Sequence, residues 1–131
     1  MSRQVIICVD DERTVLRSLK AELQEAVGND YTIELAEGGE EALELIEELL
    51  EDGDEVFLII SDHFMPDMKG DELLIRIHQN NPHVIKIMLT GQADQVAIDR
   101  AKKQANLHFC LSKPWLESEL LETIKSGLSK L

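Results

Sequence analysis

With 131 residues the chain fits one domain, residues 1–131, long enough to bury a core without disulfides or a structural metal and too short for a second. It carries 26 acidic against 13 basic side chains, a net charge of −13, and no Lys or Arg from Ala21 to Met68. A surface of that sign repels nucleic acid, which excludes direct nucleic-acid binding, and no apolar stretch reaches membrane-spanning length.

The N-terminus, MSRQVIICVDDE, has one base and an apolar run too short for a signal sequence. Cys8 and Cys110 lie in separate apolar runs without CxxC spacing and read as small core residues in a reducing compartment, so a cytoplasmic protein is expected. The acids gathered between Glu34 and Glu55 read as a solvated helix face.

Gln4 to Val9 (QVIICV) is a β-favouring run ending in Asp10-Asp11-Glu12, after which Val15, Leu16, Leu19 and Leu23 recur at helical spacing up to Gly28. Gly28-Asn29-Asp30 is a turn, and Tyr31 to Ala36 alternates like a half-buried strand. Gly38-Gly39 opens a second helix with Ala42, Leu43, Ile46, Leu49 and Leu50 on its apolar stripe, stopped by Asp52-Gly53-Asp54. Val56 to Ile60 is apolar throughout, the pattern of a central parallel strand covered on both faces, and Asp62 is expected just past its carboxyl end.

Leu73, Leu74 and Ile77 mark a third helix closed by Asn80-Asn81-Pro82. Val84 to Leu89 is a fourth strand ending at Thr90-Gly91, and Ala93, Val96, Ala97, Ile98 and Ala101 form an Ala-rich helix. Leu107 to Leu111 is a fifth strand ending at Ser112-Lys113-Pro114, and a final helix runs from Trp115 to the end of the chain. Alternating strands and helices on short turns predict a doubly wound α/β domain.

Such a fold brings all the strand ends to one edge: Asp10-Asp11, Asp62, Thr90 and Lys113. Crowded carboxylates are held ionised by a cation, and an all-oxygen set suits Mg²⁺. A metal, a hydroxyl and an ammonium around a carboxylate make a phosphoryl site in which the carboxylate can attack phosphorus. Each piece alone has a plainer reading. The acid pair is an ordinary helix cap with a first-turn acid, Thr90-Gly91 a strand end, Lys113-Pro114 a turn and Asp62 a loop acid; it is their joint position at four strand ends that points to chemistry.

The acid pair in VDDE, the loop SDHFMPDMKG, the LTG ending and the SKPW turn resemble the receiver domain of two-component response regulators, of the chemotaxis-regulator type, from Gln4 to Leu128. The resemblance implies a flavodoxin-like (βα)5 parallel sheet of strand order 2-1-3-4-5. It implies that Asp62 is the phosphoacceptor, that Asp11 ligates Mg²⁺ directly and Asp10 largely through water, and that the Phe64 backbone carbonyl completes the protein's share of the metal shell with Asp62. Thr90 would bind the phosphoryl group and shift toward it, Lys113 would pair with it, and the Lys113-Pro114 peptide would be cis.

Two positions depart from the family. The usual Tyr or Phe three residues before the lysine is Cys110, while Phe109 is expected on the opposite face by strand alternation. Phe64 stands two residues after the phosphoacceptor, opposite Gln92, where a bulky ring is expected to hinder hydrolytic water and slow the loss of phosphate.

The four histidines, His63, His78, His83 and His108, lack metal-ligand spacing and are expected at the surface or its boundary; Trp115 is expected to be a packing anchor. Arg100, Lys102 and Lys103 form the main basic patch, on a helix that receivers use to meet partners, and a homodimer through that face is possible. The expected function is a Mg²⁺-dependent switch, not a turnover enzyme. Its donor is a histidine kinase or phosphotransfer protein, and its output passes through the face of the fourth helix, fifth strand and fifth helix to a protein target or fused output domain. A constitutive interaction module, left open by Cys110, and a phosphatase, which would want an acid where Phe64 stands, are the competing readings.

Overall fold

The computed structural model describes residues 2–91 and 94–130. In chain order it contains β1 (Gln4–Val9), α1 (Arg13–Val27), β2 (Thr32–Ala36), α2 (Gly39–Glu51), β3 (Glu55–Asp62), α3 (Gly70–Asn80), β4 (Ile85–Thr90), α4 (Gln95–Ala105), β5 (Phe109–Ser112) and α5 (Glu117–Leu128). The strands pair in parallel in the order β2-β1-β3-β4-β5, the flavodoxin-like order that the resemblance implies.

Period-2 alternation sends each strand's side chains to two separate cores. Val5, Ile7 and Val9 of β1, with Ile59 of β3 and Met88 of β4, face α2, α3 and α4. Ile6, Cys8, Leu58, Ile60, Ile87 and Leu111 face α1 and α5, meeting Leu16, Leu19, Leu120 and Ile124. The all-apolar run of β3 is thus covered on both faces, as its composition predicts. Its alternation is reset once: Val5 pairs with Val56 but Ile6 with Leu58, leaving Phe57 as an inserted residue that packs edge-on to Tyr31.

Element boundaries move where tertiary contacts decide them. Asp62 pairs with Leu89, so β3 runs on to Asp62 and the acid is the strand's last residue, not the first beyond it. Residues 107 and 108 do not start β5: Asn106 ends α4 in the left-handed region, and the Leu107 N–H returns to the Ala101 carbonyl. The Lys113-Pro114 peptide is cis, and Leu116 rather than Trp115 precedes α5, which ends at Leu128. Trp115 packs against the α1–α5 core and donates its indole N–H to Glu22. Ala93, expected in the fourth helix, and Leu131 lie outside the described residues. Among the described residues no helix is long and apolar enough to cross a membrane.

Lys86 gives no signal in the run VIKIML, yet it is among the most buried side chains, 1% exposed. Its ammonium donates to the carbonyls of Val84 (2.6 Å) and Pro82 (3.2 Å) and sits 2.9 Å from His78 Nδ1, closing the α3–β4 turn. Burial pushes its pKa down to about 8. The unfolded chain therefore binds a proton that the folded chain releases between that value and the ordinary lysine value, so Lys86 makes stability rise with pH across this window. In urea melts at pH 7 and pH 10, the wild type is expected to gain on Lys86→Met by on the order of 1–3 kcal/mol at the higher pH; a constant difference would mean that burial does not lower the Lys86 pKa.

Candidate functional site

The carboxyl edge of the sheet collects the expected residues. Asp10, just past β1, is fully buried; its Oδ1 accepts the Glu12 N–H at 2.9 Å and its Oδ2 accepts Lys113 Nζ at 2.8 Å. Asp62 is 5% exposed, with its Oδ1 at 3.1 Å from the same ammonium. Asp11 is exposed, and Asp10, Asp11 and Asp62 each offer an oxygen within 4.8 Å of the other two. Strand alternation explains the grouping: Asp10 follows Cys8, Asp62 follows Ile60 and Lys113 follows Leu111 onto the α1–α5 side. Thr90, the buried last residue of β4, follows Met88 onto the α4 side.

The electrostatics are one cation short. Burial first, then the neighbouring Asp10, raise the Asp62 pKa against the pull of Lys113. Burial works against the Lys113 charge, but its bonds to Asp10 and Asp62 outweigh that and hold its pKa above the ordinary value. Three carboxylates with one ammonium leave a charge of −2 in a partly buried cleft. A divalent, oxygen-seeking cation is the natural complement, so the residues present fit Mg²⁺.

The loop from His63 to Lys69 is fastened at each end. The His63 N–H donates to the Leu89 carbonyl (3.0 Å) and its carbonyl accepts the Gly70 N–H (2.8 Å). In the middle, Asp67 accepts the N–H groups of Gly39 (3.2 Å) and Glu40 (3.0 Å) at the start of α2, which depress its pKa. Met65 and Met68 are buried beneath. Phe64 is 43% exposed, its ring edge-on to His63 at 4.7 Å with the Lys69 ammonium 5.8 Å from its centroid. Gln92, expected opposite Phe64, lies outside the described residues.

Sequence reasoning missed the Asp67 cap, although a signal existed: α2 starts after Gly38, which has no side chain to satisfy the helix's first N–H groups, so an acceptor had to come from elsewhere. His63 was expected near the surface and is instead fully buried, because the N-terminal ends of α3 and α4 close over it, with Asp71 and Asp94 flanking the ring. The basic patch is also smaller than expected. Arg100 turns to Asp71 and Glu72 of α3, both at 3.1 Å, leaving Lys102 and Lys103 exposed.

Cys110 packs against the α2–α4 core as alternation predicts, and burial pushes its thiol pKa up. With Thr90, Ile98, Phe109 and Ser112 it borders a groove of about 410 Å³ between α4 and β5. Phe109, 49% exposed on the outer strand, reaches this groove's rim despite its opposite parity.

Comparison with known proteins gives one consistent result. The response regulator receiver domain family matches residues 6–125. Among curated relatives, the sensor kinase CckA of Brucella abortus is 34% identical over 125 residues, 95% of this chain and 12% of that protein. The response regulator MprA of Mycobacterium ulcerans is 32% identical over 95% of this chain and 50% of its own length, so this chain spans half or less of these two relatives. Among solved structures, the signal receiver domain of an HD domain-containing protein from Pseudomonas fluorescens Pf-5 superposes with a TM-score of 0.86 at 34% identity, covering 98% of this chain and 96% of that one. A CheY-like receiver domain from Methanospirillum hungatei does so with 0.85 at 33% identity, with the same coverage. The matching fold, the acid cluster and these likenesses agree: the chain belongs to the response regulator receiver domain family.

Proposed function

We propose that this chain, as one receiver unit over residues 1–131, takes a phosphoryl group on Asp62 and thereby changes what its α4–β5–α5 face binds. The observation that carries the reading is the Lys113 ammonium shared by Asp10 and Asp62 at 2.8 and 3.1 Å, inside the three-carboxylate cluster. The Asp62 carboxylate attacks phosphorus, a new P–O bond forms, and the bond to the donor's nitrogen breaks. The donor is the phosphohistidine of a histidine kinase or of a phosphotransfer protein. Lys113 holds negative charge on the phosphoryl oxygens, and the Thr90 hydroxyl donates to one of them from the α4 side.

Mg²⁺, held by Asp11, Asp62, Asp10 and the Phe64 backbone carbonyl, would neutralise the charge that gathers on the phosphoryl oxygens. Asp10 already spends both oxygens within the protein, which suits contact through water. Val96, Phe109 and Leu116 are exposed apolar residues on α4, on β5 and before α5, which supports that side as the output face toward a protein target, a fused output domain or a second copy.

Intact mass after incubation with acetyl phosphate tests the reading. A single phosphoryl adduct that maps to Asp62 and disappears when a chelator replaces Mg²⁺ is expected. An adduct elsewhere, or none with either this donor or a cognate kinase, would favour a constitutive interaction module, the alternative that Cys110 in place of the usual ring leaves open.

Once formed, the adduct is expected to be slow to hydrolyse, because a bulky ring at Phe64, two residues after Asp62 and 43% exposed, hinders the attacking water. Phe64→Asn should quicken dephosphorylation on the order of tenfold, about 1.4 kcal/mol off the barrier. An unchanged decay of the adduct would remove the ring from the account.

A further inference from the structure

We infer that His63 is the positioning residue through which the state of Asp62 reaches α4. The inference rests on the proposed phosphorylation of Asp62. His63 directly follows that acid, and its backbone is fixed on both sides, to Leu89 of β4 and to Gly70 of α3. Its ring is fully buried, yet neither nitrogen has a hydrogen-bond partner of proper geometry. Buried polar groups are nearly always satisfied, so an unsatisfied pair asks for an explanation.

The surroundings supply one. Nε2 lies 3.3 Å from Asp94 Oδ2 and Nδ1 lies 3.9 Å from Asp71 Oδ1, so the ring stands between two carboxylates without a settled bond to either. Both acids already hold α4. Asp94 caps it by accepting the Ala97 N–H at 3.1 Å, and Asp71 accepts from Arg100, in the middle of that helix, at 3.1 Å. A displacement of a few tenths of an ångström between the end of β3 and the start of α4 completes or breaks the Nε2–Asp94 bond, since hydrogen bonding is steep in distance and angle. That makes a two-state contact between the phosphoacceptor strand and the helix. A neutral ring suffices, because one of its tautomers donates from Nε2.

The alternative route from the site to α4 runs through Thr90 to position 110. Here it ends in Cys110, whose side chain has no ring to swing. The His63 route is made of groups this chain does contain, and it joins the residue beside Asp62 to both ends of the Asp94–Arg100 segment.

The test uses the whole chain with acetyl phosphate and Mg²⁺. Intact mass reports the adduct, and hydrogen exchange at residues 95–105 reports α4. The wild type should form the adduct and change exchange along α4. His63→Phe, which keeps a ring of similar size but no nitrogen, should form the adduct normally while its α4 response falls by about fivefold or more. Asp94→Ser, which keeps a capping oxygen too short to reach His63, should do the same. His63→Gln, whose amide can take the place of Nε2, should restore most of the response. An undiminished α4 response in both His63→Phe and Asp94→Ser, with the adduct present, overturns the inference alone. Absence of the adduct from the wild type overturns the phosphorylation reading and this inference with it.

Discussion

Asparagine in place of Asp62 is expected to abolish the Mg²⁺-dependent phosphoryl adduct and, in metal-free buffer, to make the protein more stable than the wild type. The first effect follows from the chemistry: an amide is no nucleophile toward phosphorus, and neither remaining carboxylate can take its place, although Asp10 shares the Lys113 ammonium. Asp10 has both oxygens engaged, and Asp11 is exposed. The second follows from the raised Asp62 pKa, caused by burial and then by Asp10. As pH rises, the unfolded chain loses this proton at the ordinary carboxylate value while the folded chain still holds it, so wild-type stability falls through the window up to the raised pKa.

The variant has no such proton, and above the window it should lead by on the order of 1 kcal/mol in urea melts. Lys113 keeps Asp10 as its partner throughout. Saturating Mg²⁺ should reverse the order, because a cation that binds the folded wild type more tightly stabilises it by mass action. An adduct retained by the variant would place the phosphoacceptor elsewhere. Equal stabilisation of the wild type and the variant by Mg²⁺ would mean that Asp62 takes no part in holding the cation.

How much of this was legible depends on how local the cause is. The covered strand Val56 to Ile60 is written in consecutive apolar residues, and the site acids are visible as the polar residues that end apolar runs. Both signals are local. The resemblance supplied the cis peptide at Pro114, which no spacing reveals. What stayed hidden has distant causes. His63 is buried by helix ends that begin seven and thirty-two residues later, Asp67 caps a helix 28 residues behind it, and Lys86 is satisfied by carbonyls of a turn that forms only once α3 has packed. The inserted Phe57 in β3 was equally silent, since an unbroken apolar run has no alternation to interrupt. Arg100 looked like surface charge because periodicity cannot say that α3 offers two acids to it.

Gly70→Ala is expected to destabilise the fold by roughly 3 kcal/mol and to weaken the site as well, through overpacking against backbone. Gly70 starts α3, and its Cβ position is occupied: an added methyl would run into the Asp62 carbonyl oxygen and come within 2.8 Å of His63 Cα. Neither neighbour can yield easily. Asp62 and His63 are pinned to β4 through the Asp62–Leu89 pairing and the His63 N–H, and the Gly70 N–H is itself bonded to the His63 carbonyl. The clash therefore lifts α3 away from the end of β3 or drags Asp62 out of line with Lys113.

Gly28 is a useful control. It has a φ of 58° with a ψ of −134°, a conformation that favours glycine, but nothing within 4 Å of a Cβ, so Gly28→Ala should cost about 2 kcal/mol, from backbone strain alone. Urea melts of the two variants separate a clash from a conformational preference, and intact mass with acetyl phosphate should show normal adduct formation for Gly28→Ala and impaired formation for Gly70→Ala. If Gly70→Ala matched Gly28→Ala in both measurements, the β3–α3 junction would be free to move, and the rigid coupling of Asp62 to its neighbours would have to be abandoned.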